Sequence, residues 1–297
     1  MSAAHKSGFI ALVGRPNAGK SALLNALLGQ KLSIVSCQPQ TTRHRILGIL
    51  DGEGWQACFL DTPGWLEKAD DPLQGNLIKM TRAAARDDAD VVLLVVEPAP
   101  ARPEDLAAFQ RFAELGKPLI LAVNKCDRVG VPAAEAAAAS YGPLAPAAIH
   151  QVSALKGTGV ADLRSRIINL LPESPPYYEK GQASDRWERF FAAEMVREAL
   201  FELYREEIPH ACAVDIERYK ERPGLKDLIQ VVVYVERPSQ KGILLGAHGS
   251  AIRRLTQASL RRIEAFLGRP VELELWVKVR KDWRKDRQAL KEFGYVV

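Results

Sequence analysis

Eight consecutive residues, Gly14-Arg15-Pro16-Asn17-Ala18-Gly19-Lys20-Ser21, carry the G-x-x-x-x-G-K-[ST] spacing of a phosphate cradle. Its glycines let main-chain N–H groups turn inward on an anion. Lys20 extends an ammonium toward β and γ phosphates, and Ser21 offers a hydroxyl to Mg²⁺. An apolar run (residues 9–13) precedes the loop and a helical run (22–28) follows it, the strand–loop–helix context this chemistry needs. Asp61-Thr62-Pro63-Gly64 ends a second apolar run, where a carboxylate can hold the Mg²⁺ shell and a glycine N–H can touch a γ phosphate. On its own that tetrapeptide is as well explained by a turn.

Asn124-Lys125-Cys126-Asp127 changes the balance. In this arrangement the Asp127 carboxylate accepts from guanine N1–H and the exocyclic amine, Asn124 orders the loop, and the Lys125 stem covers the ring. Adenine has neither donor, so a buried Asp127 would be left unpaired by ATP, and such a site discriminates strongly. Ser153-Ala154-Leu155, after the next apolar run, can place a main-chain N–H on guanine O6.

These loops need a scaffold that brings strand ends to one edge. Apolar runs at 9–13, 57–60, 91–96, 119–123 and 148–152 alternate with helix-length segments, which predicts an α/β domain with a largely parallel sheet. Ligands of such sheets bind outside the strand ends, where all four motifs fall. After a last helical run (160–171) come Pro172, Pro175 and Pro176 among polar residues, the best linker candidate. The division expected is 1–172, a linker at 173–184, and a second domain at 185–297. Asp185 with Glu188 resembles a capping box, and Trp187, Phe190, Phe191, Met195, Ala199 and Leu203 follow at helical spacing, predicting a helix with one face on a sheet. Strand-like runs at 211–218 and 228–237, a helix–G-x-x-G–helix segment at 241–267, a strand at 271–279 and a short final helix give the order α-β-β-α-α-β plus one helix. The Ala-rich stretch 133–139 reads as a permissive surface helix.

At 297 residues with 47% hydrophobic content, the chain can bury about two cores, and 26% charged residues carry no signature of disorder. Its longest strongly apolar run, 91–96, falls far short of the roughly 20 residues of a membrane span, and no apolar signal segment opens the chain. Cys37, Cys58, Cys126 and Cys212 are far apart, so reduced thiols packed as small hydrophobes in a cytoplasmic protein are expected. His5, His44, His150 and His210 form no metal or nucleophile pattern. Net charge is +5, distributed as +2 (18 basic, 16 acidic) over 1–172, −5 (9 and 14) over 173–236 and +8 (14 and 6) over 237–297. An anionic partner is therefore sought at the C-terminal end.

With its motifs in this order the chain resembles translation-factor-class GTPases, and much more closely the bacterial Era family. The likeness extends to Gly8-Phe9-Ile10-Ala11, Leu28-Gly29-Gln30-Lys31, Gln40-Thr41-Thr42-Arg43-His44-Arg45 and Leu273-Glu274-Leu275-Trp276-Val277-Lys278-Val279, covering nearly the whole chain. It implies a P-loop GTPase domain followed by a type II KH domain that binds small-subunit ribosomal RNA and assists assembly of the 30S subunit. GTP/GDP and Mg²⁺ are the implied cofactors. DNA is not an implied partner, a monomer is the default, and peripheral contact of the basic C-terminal domain with the inner membrane is the alternative reading.

The resemblance places the first switch at 40–45, with Thr42, or alternatively Thr41, closing on Mg²⁺ and the γ phosphate. Trp65 stands where a Ras-like enzyme carries the glutamine that orients water, which implies slow intrinsic hydrolysis. In some related GTPases an asparagine at the position of Asn17 helps bind K⁺, which adds charge to the transition state. Gly246-Ala247-His248-Gly249 is the candidate KH loop, clamping about four nucleotides by close backbone approach, with Lys241, Arg253 and Arg254 as flanking cations. The basic stretch 278–287 with Trp283 interleaved is a candidate RNA or membrane contact.

Overall fold

The computed structural model describes residues 5–295. Its first sheet holds six strands, β1 (Lys6–Val13), β2 (Ile46–Gly52), β3 (Trp55–Asp61), β4 (Val91–Val96), β5 (Leu119–Val123) and β6 (Ala148–Gln151), in the order β2-β3-β1-β4-β5-β6. All neighbours are parallel except β2, which pairs antiparallel with β3. Helices α1 (Lys20–Leu28), α2 (Pro72–Ala83), α3 (Pro103–Ala113), α4 (Val131–Ser140) and α5 (Val160–Leu170) cover it. Strand β4 explains its own sequence. Val91, Leu93 and Val95 pack with Leu23, Leu27, Leu163 and Ile167 of α1 and α5, while Val92, Leu94 and Val96 pack with Phe109, Phe112 and Ala137 of α3 and α4. A strand covered on both faces reads as a continuous apolar run.

The C-terminal half adds α6 (Glu188–Leu203), α7 (Ile208–Ala211), β7 (Ala213–Lys220), β8 (Asp227–Val235), α8 (Pro238–Leu245), α9 (Ser250–Leu267), β9 (Val271–Val279) and α10 (Arg287–Glu292). Its sheet has the order β7-β8-β9, with β7 antiparallel and β9 parallel to β8. Helices α6, α8 and α9 share one core with it: Met195, Val196, Leu200, Leu244, Leu255 and Ile263 pack on Val231, Val233 and Val277.

Four expectations change here. Strand β2 was not anticipated. The capping box is not formed: Trp187 is the N-cap with no side-chain cap bond and is 86% exposed, outside the predicted apolar stripe. Glu188 instead receives Arg269 and the Tyr219 hydroxyl (2.8 Å), tying the start of α6 to the second sheet. Trp283 is fully buried, donating from Nε1 to the Ala211 carbonyl at 2.8 Å and packing with Leu73 and Leu77 of α2, so it offers no surface to a base or lipid. The proline-rich segment runs as a strap along the first sheet. Tyr177 and Tyr178 N–H groups donate to Gln56 Oε1 (2.8 and 3.0 Å), Gly181 N–H donates to Asp51 Oδ2 (2.8 Å), and Ile49 N–H donates to the Ala183 carbonyl (2.9 Å). The last of these bonds engages the main chain of the β2 edge, which would otherwise be open to foreign strands.

Among the described residues no helix is long and apolar enough to cross a membrane. Cys58 and Cys212 are buried, which pushes both thiols up to about 12, whereas Cys37 is exposed, unlike the packed thiols expected.

Candidate nucleotide and nucleic-acid sites

The ends of β1, β3, β5 and β6 meet around a cleft of about 530 Å³ lined by Asn17, Gly19, Lys20, Ser21, Thr42, Gly64, Asn124, Lys125, Asp127 and Ala154, among others. Lys20 is 5% exposed and donates to the Gly14 and Arg15 carbonyls (3.1 and 3.0 Å), which aims the ammonium back over its own loop. Burial lowers its pKa to about 8, against the opposing pull of Asp61. Phosphate oxygens restore the ammonium. Above about pH 8 nucleotide binding should therefore take up a proton and weaken as pH rises; calorimetric titration at about pH 9 in two buffers of different ionisation enthalpy reads that uptake, and at about pH 7 it should vanish. In the free protein the sign is the opposite. The unfolded chain holds this proton up to about 10.4, so the Lys20 contribution to stability improves from about pH 8 upward.

Beside Lys20, the Ser21 hydroxyl donates to Asp61 Oδ2 at 2.7 Å and lies 3.0 Å from the Thr42 hydroxyl. Thr41 turns away, donating to the Gln38 carbonyl at 2.9 Å. Asp61 is fully buried, which raises its pKa against the lowering effect of Ser21 and Lys20, and its Oδ1 has no hydrogen-bond partner among the described residues. An orphaned buried carboxylate oxygen beside two hydroxyls is the hard oxygen set that suits Mg²⁺. Ser21, Thr42 and Asp61 thus fit that ion, whose charge, when bound, would draw off negative charge from the phosphates.

The remaining predicted residues divide by position. Gly64 lies so close to Pro16 that a Cβ would come within 2.7 Å of the proline backbone. Thr62 and Pro63 face inward, Thr62 donating to the Leu12 carbonyl (2.6 Å) and the Pro63 carbonyl accepting from Thr81 (3.0 Å), and so place Gly64 without lining the cleft. The Arg15 side chain leaves the cleft for Asp105 and Glu67. Ala18 is buried and its carbonyl accepts from Asn124 Nδ2 at 3.0 Å. Asn124 Oδ1 accepts the Ala154 N–H at 3.0 Å, so one amide ties the phosphate loop, the N-K-x-D loop and the third loop together, and the Ala154 N–H serves Asn124 in this geometry. Asp127 is exposed, a correction to the expectation of burial; Ser153 Oγ donates to it at 2.6 Å and holds its pKa down, keeping the carboxylate charged. Lys125 spans the mouth to the Asn17 carbonyl at 2.5 Å and to Glu97. Trp65 is buried against Phe112 with Arg82 over its ring, so it cannot orient water. Asn25, not anticipated from the sequence, accepts the Leu32 and Ser33 N–H groups (both 2.9 Å) on its side chain and fixes the chain that leads from α1 toward the switch. A polar residue inside an otherwise apolar helix was the available signal.

The second site lies where α8 meets α9. Gly246 (φ 67°, ψ 172°), His248 (φ 49°) and Gly249 (φ 72°) turn the chain in left-handed conformations, with Ala247 and His248 exposed. Lys241, Arg253 and Arg254 flank it without an ion pair among the described residues, whereas Arg262, Arg269, Lys278, Arg280 and Arg284 are paired with carboxylates. Free charge therefore remains beside the G-x-x-G loop, while Arg237, Arg261, Lys281, Lys285, Arg287 and Lys291 of the same segment are also without an ion pair among the described residues.

A phosphate loop, Mg²⁺-fitting oxygens and an N-K-x-D loop with a charged carboxylate on one side, with a β-α-α-β G-x-x-G module on the other, define a P-loop GTPase joined to a KH domain. Residues 9–125 match the family model of 50S ribosome-binding GTPases and residues 207–284 that of the KH domain. The GTPase Era of Carboxydothermus hydrogenoformans is 43% identical over 98% of both chains, and the chloroplastic GTPase ERA1 of Zea mays is 42% identical over 98% of this chain and 71% of that protein. Among solved structures, an Aquifex aeolicus Era variant bound to GDP·AlF4⁻ superposes with a TM-score of 0.94 at 36% identity, covering 98% of this chain and all of that one. An Era in complex with MgGDPNP and nucleotides 1506–1542 of 16S ribosomal RNA gives 0.92 at 36% identity, covering 99% of this chain and 100% of that one. The chain belongs to the Era family of GTPases.

Proposed function

We propose that this GTPase is a nucleotide-gated binder of small-subunit (16S) ribosomal RNA that assists maturation and assembly of the 30S subunit. In this reading residues 1–172 form the GTPase unit, 173–184 the connection and 185–297 the KH unit, and the protein works as a cytoplasmic monomer. One observation carries it: the loop bearing Thr42, beside the cleft, is hydrogen-bonded directly to the KH half through Arg43, which reaches the Cys212 carbonyl at 2.7 Å. The RNA complex of the related Era supports the choice of partner.

Lys20, Thr42, Gly64 and Asn17 are the residues proposed to act on the transferring phosphoryl group. Gly14 to Ser21 and Asp61 to Gly64 build the phosphate side, and Asn124, Lys125, Asp127, Ser153 and Ala154 the base side. Lys20 and the loop amides hold the phosphates before charge develops, which is where electrostatic preorganisation acts. Asn17 donates from Nδ2 to the Cys37 carbonyl at 3.1 Å, which leaves its carbonyl oxygen for K⁺. Lys241, Gly246, Ala247, His248, Gly249, Arg253 and Arg254 take the RNA. With Trp283 buried, the aromatic that favoured a membrane contact is withdrawn from the surface.

A single-stranded fragment from the 3′ end of small-subunit ribosomal RNA should bind more tightly to protein loaded with a non-hydrolysable GTP analogue than with GDP, and more weakly at higher salt. Equal binding in both nucleotide states removes the gating. Turnover should be faster in potassium than in sodium buffer; equal rates remove the role of Asn17 toward K⁺.

A further inference from the structure

Contacts from the switch loop into the C-terminal half bracket one residue. Gln38 Nε2 donates to the Phe201 and Tyr204 carbonyls at 2.6 and 2.9 Å. Arg197 of α6, 2% exposed, donates through Nη2 to the Thr41 carbonyl at 2.6 Å. Arg43, also buried, donates to the His210 and Cys212 carbonyls, both at 2.7 Å. Thr42 lies between the last two grips and turns its hydroxyl to Ser21, 3.0 Å away. With the residue before it held by its carbonyl and the residue after it held by its side chain, the Thr42 main chain is kept beside the Ser21–Asp61 corner by charge-assisted bonds on both sides.

Arg197 is itself fixed. Its Nη1 donates to both oxygens of Glu194, one turn earlier on α6, at 2.7 and 3.0 Å, and Glu194 is 1% exposed. A buried ion pair is weak evidence for stability, since apolar residues of the same volume often serve as well, so the aim of the guanidinium is what this pair secures. Glu198, next to Arg197 and one turn after Glu194, takes Lys31 Nζ at 2.5 Å and the Val35 N–H at 3.1 Å, so α6 holds the chain leading into the switch as well as Thr41.

We propose that Arg197, oriented by Glu194, is a positioning residue for the GTP-bound state: from the KH half it holds the Thr41 carbonyl so that the Thr42 hydroxyl stands beside Ser21 and Asp61. This rests on the reading of Thr42 as the residue that closes on Mg²⁺ and the γ phosphate, and it names the group outside the nucleotide cleft that sets it. Binding linkage is reciprocal. Whatever shifts α6 changes the preference for GTP over GDP by the factor by which GTP biases α6.

The test compares full-length wild type, Thr42→Ala, Glu194→Gln/Arg197→Met and Arg197→Lys for affinity toward GDP and a non-hydrolysable GTP analogue with Mg²⁺. The double variant removes both buried charges at once, avoiding an orphaned one. It should lose about tenfold in analogue affinity while GDP affinity stays within about twofold, the size of one charge-assisted bond. Arg197→Lys, keeping a cation without the planar fork, should fall between. Thr42→Ala should show the same selective loss, and joining it to the double variant should add nothing, because both act through one hydroxyl. A wild-type analogue-to-GDP ratio in the double variant, with Thr42→Ala impaired, overturns the proposal and leaves the Thr42 reading standing. An unchanged ratio in Thr42→Ala overturns the reading beneath it. Should the double variant fail to fold, Arg197→Lys decides: a wild-type ratio there overturns the proposal.

Discussion

Asp127→Asn should exchange guanine for xanthine specificity, with GTP affinity falling roughly 10³-fold and xanthosine triphosphate becoming the better ligand. The carboxylate presents only acceptors, and Ser153 keeps it charged and oriented through the 2.6 Å bond to Oδ1. Guanine answers with donors at N1 and the exocyclic amine. An amide turns one acceptor into an N–H₂ donor, which meets the exocyclic amine donor to donor; xanthine carries a carbonyl there and restores the match. A fully buried polar reader would discriminate by 10⁴ or more, and the exposure of Asp127 in the free protein brings the expected factor down, because water solvates the mismatch before the base arrives. Direct titration of wild type and variant with GTP and with xanthosine triphosphate reads the exchange. Loss of binding to both nucleotides would mean instead that Asp127 supports the loop, with Ser153 as its structural partner.

The nucleotide loops were legible because their chemistry dictates residue type at fixed positions next to strands, and local order along the chain carries all of it. Strand β2 was not. It contains Gly48, where a Cβ would come within 2.6 Å of Leu28, so the residue that lets α1 pack closely also breaks the strand pattern. Its antiparallel pairing also departs from the strand–helix–strand rhythm that located the other five. The charges of α6 carried no sign of their place. Glu194, Arg197 and Glu198 lie off the apolar stripe that the sequence showed, yet they are buried, and the loop that bears Thr42 supplies partners for Arg197 and Glu198. Trp283 shows the same effect: its neighbours in sequence are cations, but its neighbours in space are Leu73, Leu77, Leu290 and Tyr295. Periodicity records which side of an element is apolar and carries no record of what a distant segment brings to the other side.

Gly246→Ala should weaken RNA binding on the order of 100-fold while leaving GDP affinity unchanged, and Gly249→Ala should do distinctly less. Both glycines have left-handed φ, so both substitutions strain the backbone, but their surroundings differ. At Gly246, with φ 67° and ψ 172°, the conformation lies in a region essentially reserved for glycine, and a Cβ would stand 2.7 Å from Ala251 Cβ and 2.9 Å from the Ala251 nitrogen, at the first turn of α9. To accept it, the start of α9 must shift, and with it Arg253 and Arg254. At Gly249, φ 72° and ψ 19° lie in the ordinary left-handed well, and the nearest atom to a Cβ is the end of the flexible Arg253 side chain at 3.4 Å. Strain there is about 1–2 kcal/mol with no steric collision added. Combining Gly246→Ala with loss of the two arginines distinguishes a loop whose backbone itself approaches the nucleic acid from one that merely carries charge. In the second case Gly246→Ala would act only by displacing Arg253 and Arg254, so in a background of Arg253→Ala and Arg254→Ala, with its reduced salt dependence, it would cause no further loss of RNA affinity.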